Sequence, residues 1–357
     1  MMNKKIMRIG FMFAACVLSG GGRAPAADTA GGPDFPFTVL NSVVNGKLGK
    51  DAFTFAHLTD LHIGEGEKDY GTEGYEDSPP VEDFGVPARR LKEAVNWINA
   101  NKDARNIAFV IVTGDITDSA ERSEFMKAKE MLDALTIPYI PVPGNHDIWP
   151  YTAPAEATAP LGDEYFKDIF APVFDGLKAK FSGWDDGTRL TRTFDNEHNV
   201  HAYFQNFSFD YRGYRFLFAD FNARAHAPVR KKGIGPEAEL HDIEDGTMRW
   251  LRSRFEGYKG GPGRMLLFAH HPLTGHLPRT ETYPGAGGFP QEELGTVISY
   301  LSERGIKGGM GLWGAGHTHK NREYTLKAVP RGSICPCVET GAVKEGNLRL
   351  FEVRGAL

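Results

Sequence analysis

The chain has 357 residues, of which 41% are hydrophobic and 24% charged, so it can bury a large core and is not a disordered polypeptide. Its formal net charge is −5 at pH 7. Residues 1–26 carry four basic residues and no acidic ones, so without them 46 acidic residues would face 37 basic ones. This acidic balance argues against nucleic acid or an anionic membrane surface as the main partner.

Residues 1–26 have the layout of a secretory signal peptide. Three basic residues precede an apolar stretch of about ten residues that begins at Ile9, and small residues follow it. The stretch is too short to cross a bilayer, and the tripeptide at 24–26 fits the A-x-A pattern of a cleavage site. The residues before Cys16 also resemble an imperfect lipobox. We therefore expect export to the periplasm or the medium, with a lipid anchor at Cys16 as the one route to a membrane.

Residues 27–50 are rich in Gly, Pro and Asn and predict a tether or a short hairpin ahead of the main domain, which we place at 51–357. Apolar runs then predict five buried strands, at 53–58, 106–112, 139–142, 264–270 and 309–316. Between them, apolar residues recur at helical spacing in four segments, Leu91–Ile98, Phe125–Leu135, Met248–Phe255 and Leu294–Leu301. The alternation of strand and helix is typical of an α/β layered fold.

Residues 200–221 break this alternation. Aromatic residues alternate with polar ones on both sides of Arg212-Gly213, which predicts a β-hairpin and with it a second, partly antiparallel sheet packed beside the first. The segment 332–353 is also strand-like. It contains Cys335 and Cys337, and a disulfide across the single intervening proline would be strained, so we predict two small buried thiols.

Three stretches, at 64–87, 150–163 and 223–247, read as long surface insertions because they are acidic, polar or rich in Gly and Pro. Such loops commonly form the substrate pocket of an enzyme. Aromatic and polar candidates for contacts with a substrate are Tyr70, Tyr75, Trp149, His198, Arg279 and Tyr283.

Metal-binding types of side chain follow each of the five predicted strands. The first strand is followed by Asp60 and His62, two apart and so on one side of an extended segment. The other four are followed by Asp115, by Asn145-His146-Asp147, by His270-His271, and by His317 and His319. Because the carboxyl ends of strands in an α/β sheet open onto the crevice where ligands bind, we expect these side chains to converge.

The chemistry of these side chains indicates the class of metal. Carboxylate, imidazole and amide ligands without a thiolate suit Mn, Fe or Zn as divalent ions, and argue against copper(I) or a structural zinc site built on cysteine. Seven ligands are too many for one ion with open positions. Two divalent ions that share one carboxylate are the economical solution, and such a pair makes hydroxide available from water near neutral pH.

The order Asp-x-His, Gly-Asp, Gly-Asn-His-Asp, His, Gly-His-x-His resembles that of the calcineurin-like metallophosphoesterases and spans residues 53–319. The resemblance implies a four-layer α/β sandwich, in which two mixed β-sheets are flanked by helices. It also implies that Asp115 bridges two ions and that His146 stays off them and faces the phosphate. The implied ligands of one ion are Asp60, His62 and His319, and those of the other are Asn145, His270 and His317.

Two details refine this resemblance. Purple acid phosphatases have a metal-binding tyrosine three residues after the Gly-Asp aspartate, where this chain has Asp118, so a tyrosinate-bound ferric ion is not expected. His270 is taken as the ligand because it comes first after the strand, which leaves His271 to support a ligand or to face the phosphate.

The resulting hypothesis is metal-dependent hydrolysis of a phosphate ester outside the cytoplasm, on a small molecule or a lipid head group. His146 would protonate the leaving group, with Asp60 or Asp147 orienting its ring. A phosphodiester is preferred over a monoester because no arginine cluster is evident to grip a dianion. The alternatives are a phosphomonoesterase or nucleotidase and a non-catalytic metal-binding scaffold. A metallo-β-lactamase-type hydrolase would need His-x-His-x-Asp-His, which "GHTHKNRE" does not provide.

Overall fold

The computed structural model describes residues 27–30, 36–44, 52–65, 85–149, 161–224, 237–273, 288–308, 310–328 and 332–354. The strands are β1 (Ala27–Ala30), β2 (Phe37–Val44), β3 (Phe53–Leu58), β4 (Ile107–Thr113), β5 (Tyr139–Val142), β6 (Ser182–Asp185), β7 (Thr193–Asp195), β8 (Val200–Ala202), β9 (Phe207–Tyr211), β10 (Tyr214–Phe218), β11 (Met265–Phe268), β12 (Met310–Ala315), β13 (Arg322–Ala328), β14 (Gly332–Glu339) and β15 (Asn347–Val353). The α-helices are α1 (Gly85–Asn101), α2 (Arg122–Leu132), α3 (Leu161–Lys180), α4 (Thr247–Gly257) and α5 (Gln291–Gly308), and short 3-10 turns cover Asn145–Asp147 and Val343–Glu345.

The strands form two mixed sheets and a separate small hairpin. The first sheet has the order β1-β2-β15-β3-β4-β5, with β3, β4 and β5 parallel to one another. The second has the order β13-β14-β12-β11-β10-β9-β6, with β10, β11, β12 and β14 parallel. The five strands that the apolar runs predict are β3, β4, β5, β11 and β12, and all five lie inside these parallel parts.

The period-2 alternation of strand residues places the two sheets face to face. Phe216 and Phe218 of β10 pack in the same apolar cluster as Phe55 of β3, whereas Leu217 between them belongs to a second cluster that includes residues of α4 and α5. The ring centroids of Phe55 and Phe216 are 5.7 Å apart, which joins the inner faces of the two sheets directly. Helices therefore cover the outer faces, and the predicted four-layer α/β sandwich is confirmed.

The hairpin centred on Arg212-Gly213 is also confirmed. Strands β9 and β10 pair in antiparallel register, and both turn residues have left-handed backbone, with φ of 47° and 76°. Positive φ at both central positions is the geometry that suits a tight hairpin between twisted strands.

The sequence did not reveal several elements. Helix α3 begins at Leu161, inside the predicted insertion 150–163, and its interior contains Pro172. The last residue of this predicted insertion, Asp163, and the second residue of the predicted insertion 223–247, Arg224, are not on the surface. Both are buried, and their side chains lie 3.0 Å apart. Of the two alternatives for residues 27–50, the antiparallel pairing of β1 with β2 matches the short hairpin, and β2 also pairs with β15 along seven residues.

Two further expectations concern cysteine and the membrane. Cys335 and Cys337 are buried free thiols with their sulfur atoms 3.7 Å apart, as predicted. Among the helices that the structure describes, none is long and apolar enough to span a bilayer. Residues 1–26, with Cys16, lie outside the described residues.

Candidate metal centre

The predicted ligands meet at one edge of the sandwich, just beyond the carboxyl ends of five parallel strands. Asp60 and His62 follow β3, Asp115 follows β4, Asn145 follows β5, His270 follows β11, and His317 and His319 follow β12. Backbone hydrogen bonds fix neighbouring strand ends to each other within each sheet: Asp60 N donates to Gly114 O at 3.0 Å, and Gly316 N donates to His270 O at 3.0 Å. The parallel register thus delivers the polar residues to one place.

Five of the seven predicted ligands have left-handed backbone, a conformation that non-glycine residues rarely adopt. Their φ values lie between 47° and 69°, and the residues are Asp60, His62, Asp115, His317 and His319. Strained backbone of this kind persists only where the surrounding structure imposes it, and it clusters at functional sites. The strands end in tight turns that aim these side chains inward.

Two glycines permit the close approach of these turns. A Cβ atom at Gly144 would overlap the backbone nitrogen and the carboxylate of Asp115, and one at Gly316 would overlap the hydroxyl of Thr59 and the carboxylate of Asp60. The motif glycines are therefore required by packing between neighbouring turns.

Asp115 lies at the middle of the centre. Its Oδ2 atom is 3.5 Å from His62 Nε2 and 3.2 Å from His270 Nε2, while Oδ1 accepts a hydrogen bond from the backbone of His146 at 2.9 Å. Burial opposes the charge of this carboxylate, but the imidazoles of His270 and His146 hold its pKa well below the ordinary value. One oxygen of Asp115 thus contacts a histidine from each half of the predicted ligand set.

The remaining predicted ligands pair off around Asp115. Asp60 Oδ1 lies 3.2 Å from His319 Nε2, and Asn145 Oδ1 lies 3.1 Å from His317 Nδ1. Burial disfavours the charged form of His270, yet the neighbouring Asp115 and Asp60 carboxylates raise the pKa of this imidazole to about 10. The buried carboxylates therefore strongly favour positive charge beside them.

The side chains fit divalent metal ions. Three buried atoms, Asp60 Oδ1, His62 Nε2 and His270 Nε2, make no hydrogen bond with the described residues, although all three point into this cluster. Ligand atoms of Asp60, His62 and His319 lie within 4.8 Å of one another, and so do those of Asp60, Asp115 and His270. Overlapping groups of oxygen and imidazole ligands that share Asp60 are suited to two adjacent cations rather than one.

His146 lies beside this cluster and is held by its backbone and its ring. Its Nδ1 atom is 2.6 Å from the carbonyl oxygen of Asp118, which can only accept, so Nδ1 carries a hydrogen and the ring titrates at Nε2. Burial lowers the pKa of His146, and the Asp115 carboxylate acts in the opposite direction. A negative charge bound near the ring would raise this pKa and favour a proton on Nε2.

The structure corrects the expectation that Asp60 or Asp147 orients this ring, because the carbonyl of Asp118 does so. The Asp147 carboxylate instead accepts hydrogen bonds from the backbone of Thr117 at 2.8 Å and of Gly144 at 2.7 Å. Burial, with Asp115 nearby, raises its pKa to about 6 despite these donors. Asp147 ties two turns of the centre together, and the catalytic role predicted for it does not match these contacts.

The ambiguity between His270 and His271 is partly resolved. His270 Nδ1 is 2.7 Å from the carbonyl oxygen of Thr113, which leaves Nε2 to face Asp115. His271 is fully buried, and the centroid of its ring lies 4.6 Å from that of His317. His271 therefore adjoins the predicted ligands, with a ligand atom within 4.8 Å of those of His270 and His317.

The two loop candidates inside the described residues have structural contacts. Trp149 is buried and its Nε1 donates to the carbonyl of Ala223 at 3.3 Å. His198 lies between the carboxylates of Asp195 at 2.9 Å and Glu239 at 3.2 Å. The other four candidates, Tyr70, Tyr75, Arg279 and Tyr283, lie outside the described residues.

Three acidic side chains at the centre went unrecognised as partners of histidines. Asp118 Oδ1 lies 2.9 Å from His62 Nδ1, Glu345 Oε1 lies 3.1 Å from His319 Nδ1, and Glu237 Oε2 lies 3.2 Å from His317 Nε2. The sequence offers one signal for Asp118, which is its position three residues after the aspartate of the Gly-Asp motif. Glu237 and Glu345 have no motif spacing that could have identified them.

The model of the calcineurin-like phosphoesterase family matches residues 53–321, which hold all seven predicted ligands and His146. The chain belongs to the calcineurin-like phosphoesterase family. This membership confirms the resemblance drawn from the order of the motifs. The family is one of phosphoesterases, and the clusters described above hold side chains that could bind metal ions.

Individual relatives match this calcineurin-like phosphoesterase more distantly. A probable cyclic nucleotide phosphodiesterase of Rhodopseudomonas palustris is 36% identical over 94 residues, which span 26% of this chain and only 29% of that protein. A dimetal phosphatase from Danio rerio aligns with 84% of this chain and 91% of its own, at 14% identity and a TM-score of 0.48. A purple acid phosphatase from yellow lupin (Lupinus luteus) seeds aligns with 87% of this chain and 47% of its own, at 14% identity and a TM-score of 0.45.

Proposed function

We propose that this calcineurin-like phosphoesterase hydrolyses a small phosphodiester outside the cytoplasm, with two divalent ions of Mn, Fe or Zn. The observation that carries the proposal is the position of Asp115, whose Oδ2 atom lies between His62 and His270. We assign Asp60, His62 and His319 to one ion and Asn145, His270 and His317 to the other, with Asp115 shared.

The residues of the centre divide the chemistry between them. Two bound divalent cations supply Lewis acidity, which withdraws charge from the phosphoryl oxygens and makes water a stronger acid. The predicted ligands would hold these ions, and the turn at 145–147 places His146 beside Asp115, to which its backbone nitrogen donates at 2.9 Å. Since the Asp118 carbonyl fixes Nδ1–H, His146 Nε2 is the atom that gives a proton to the departing oxygen.

The preference for a diester rests on the charges around the centre. Asp118, Glu237 and Glu345 surround the predicted ligands with carboxylates, and the Lys344 ammonium is already compensated by Glu65 at 2.7 Å. A phosphodiester carries one negative charge near neutral pH, whereas a monoester carries nearly two, so this acidic border disfavours the monoester more. The curated relative named a probable cyclic nucleotide phosphodiesterase makes a cyclic nucleotide the first diester to test.

A substrate panel distinguishes the candidate functions. Metal-replete protein is expected to show a higher kcat/KM on bis(nitrophenyl) phosphate and on cyclic nucleotides than on nitrophenyl phosphate or a nucleoside monophosphate. A preference for the monoesters would favour the phosphomonoesterase or nucleotidase. A full complement of metal with no turnover of any ester would favour the non-catalytic scaffold.

Metal stoichiometry tests the shared carboxylate. The protein is expected to bind close to two divalent ions per chain, and Asp115→Asn is expected to lower the occupancy of both because it removes a charge from each. Metal analysis by mass spectrometry of dialysed protein gives the count. Full activity with a single ion, or loss of only one ion from Asp115→Asn, would contradict the bridging role.

A further inference from the structure

Each of the four predicted histidine ligands has one nitrogen facing an oxygen of the inner ligand set and the other facing an oxygen outside it. The outer oxygens belong to Asp118 for His62 at 2.9 Å and to the Thr113 carbonyl for His270 at 2.7 Å. For His317 and His319 they belong to Glu237 at 3.2 Å and Glu345 at 3.1 Å. An imidazole that binds a metal through one nitrogen carries its hydrogen on the other, which then needs an acceptor.

We propose that Glu237 and Glu345 are positioning residues that divide the Gly-His-x-His motif between the two ions, each fixing one imidazole. The proposal rests on the ligand assignment of the proposed function. Glu237 Oε2 lies 3.2 Å from Nε2 of His317, whose Nδ1 faces Asn145, and would take up the Nε2–H when Nδ1 binds one ion. Glu345 accepts the Nδ1–H of His319, whose Nε2 faces Asp60, and so supports the other.

The backbone holds both carboxylates in register with the histidines that they face. Glu237 N donates to Gly288 O at 2.9 Å, and Glu237 O accepts from Ala223 N at 3.0 Å. The 3-10 turn that ends at Glu345 is fixed to the end of β3, because Val343 N donates to Thr59 O at 2.9 Å. A displacement of either segment would therefore be transmitted to one imidazole of the pair.

The two carboxylates differ in exposure, which sets the expected size of their effects. The Glu237 side chain is 21% exposed and the Glu345 side chain 50% exposed. A charged contact shielded from water is stronger, so Glu237 should contribute more to metal affinity than Glu345. The outer partners of metal-binding histidines typically contribute about 10–100-fold in metal affinity.

The test is a titration of metal-stripped protein with Mn(II), in which calorimetry measures the heat of each binding step. Glu237→Ala is expected to weaken one binding step by about 10–100-fold and leave the other near wild type. Glu345→Ala is expected to weaken the other step by a smaller factor. Glu237→Gln keeps an acceptor oxygen without the charge, and its loss should be smaller than that of Glu237→Ala.

Two controls make the outcome decisive. Glu65→Ala removes a carboxylate that pairs with Lys344 rather than with a histidine, and should bind both ions as wild type does. Combining Glu237→Ala with His317→Ala should weaken metal binding no further than His317→Ala alone, because the carboxylate acts through that imidazole. Circular dichroism of each stripped variant confirms that it is folded.

The inference is overturned if wild type binds two ions and the Glu237 and Glu345 variants do so equally tightly. It is also overturned if Glu65→Ala weakens binding as much as Glu237→Ala, because general charge would then explain the effect. Failure of wild type itself to bind a second ion would instead contradict the proposed function.

Discussion

His146 lies beside the predicted ligands without being one of them, and the backbone carbonyl of Asp118 holds its ring through Nδ1. His146→Ala should therefore keep both metals and lower the rate by about 10²–10⁴ on an ester with an alkoxide leaving group, which needs a proton to depart. On a nitrophenyl ester the loss should be much smaller, because nitrophenoxide leaves without one. Paired rate measurements with metal analysis check this, and equal losses on both esters would assign His146 to phosphate binding instead.

Gly144 is the residue whose substitution most directly tests the packing of the turns. In Gly144→Ala the new Cβ would meet Asp115 backbone, so we expect destabilisation of about 1–3 kcal/mol and weaker metal binding. Gly176→Ala is the matched control, because nothing lies within 4 Å of a Cβ there in the exposed face of α3. That variant should gain up to about 1 kcal/mol. Denaturant melts of both variants measure these changes in stability. If Gly144→Ala had the stability and metal affinity of the wild type, the packing requirement at Gly144 would be rejected.

At the scale of residues, the sequence predicted which side chains would meet but not how they are held. The ligand types and their position after apolar runs identify Asp60 or His317 because strand ends converge in any α/β sheet. Neither the left-handed backbone of these residues nor the contact of Glu237 with His317 follows from spacing, since both depend on segments that are distant in the chain.

At the scale of elements, the hairpin of β7 and β8 is joined to the segment at 237–241 by His198. Hydrogen bonds to the Asp195 and Glu239 carboxylates raise the pKa of His198 to about 10. Because the folded pKa exceeds the unfolded value of about 6.5, this stabilisation is complete below pH 6.5 and is lost as the pH rises through 10.

His198→Gln is accordingly expected to lower the free energy of unfolding by about 1–2 kcal/mol at pH 6, and by progressively less toward pH 10. Denaturant melts of wild type and variant across this range give the difference directly. The exposed neighbour His201 on β8 provides the control, since His201→Gln should change stability little at any pH. A constant difference for His198→Gln across the range would show that its charge is not responsible.

Local pattern located the parallel strands but not helix α3. Phe166, Phe170 and Phe174 recur at helical spacing there and are buried, yet Pro172 within the same span argues against a helix interior. This apolar face packs against β5 of the first sheet and β9 of the second, and that packing outweighs the lost backbone hydrogen bond. Similarly, β15 lies between β2 and β3 because it pairs with strands that are far away in the chain. A local sequence pattern cannot predict such pairing.

At the scale of the whole molecule, export is the prediction that concerns the N-terminus. Cleavage after Ala26 would leave β1, which begins at Ala27, intact and paired with β2. Intact mass measurement of protein expressed in a bacterial host should therefore give a chain that begins near Ala27, or one that begins at a lipidated Cys16. Recovery of the full-length chain in the cytosol would count against both forms.

The position of β15 in the first sheet has a consequence for how the protein is made. Strand β3 is buried on both faces and pairs with β15, although nearly 290 residues separate Leu58 from Asn347. At a synthesis rate of about 5–20 residues per second, the ribosome needs roughly 15–60 s to travel from one strand to the other. Throughout that interval the nascent chain presents an apolar strand edge on which other chains can assemble. A chain whose translation stops short of β15 should therefore aggregate, or stay bound to a chaperone, rather than fold into a smaller enzyme.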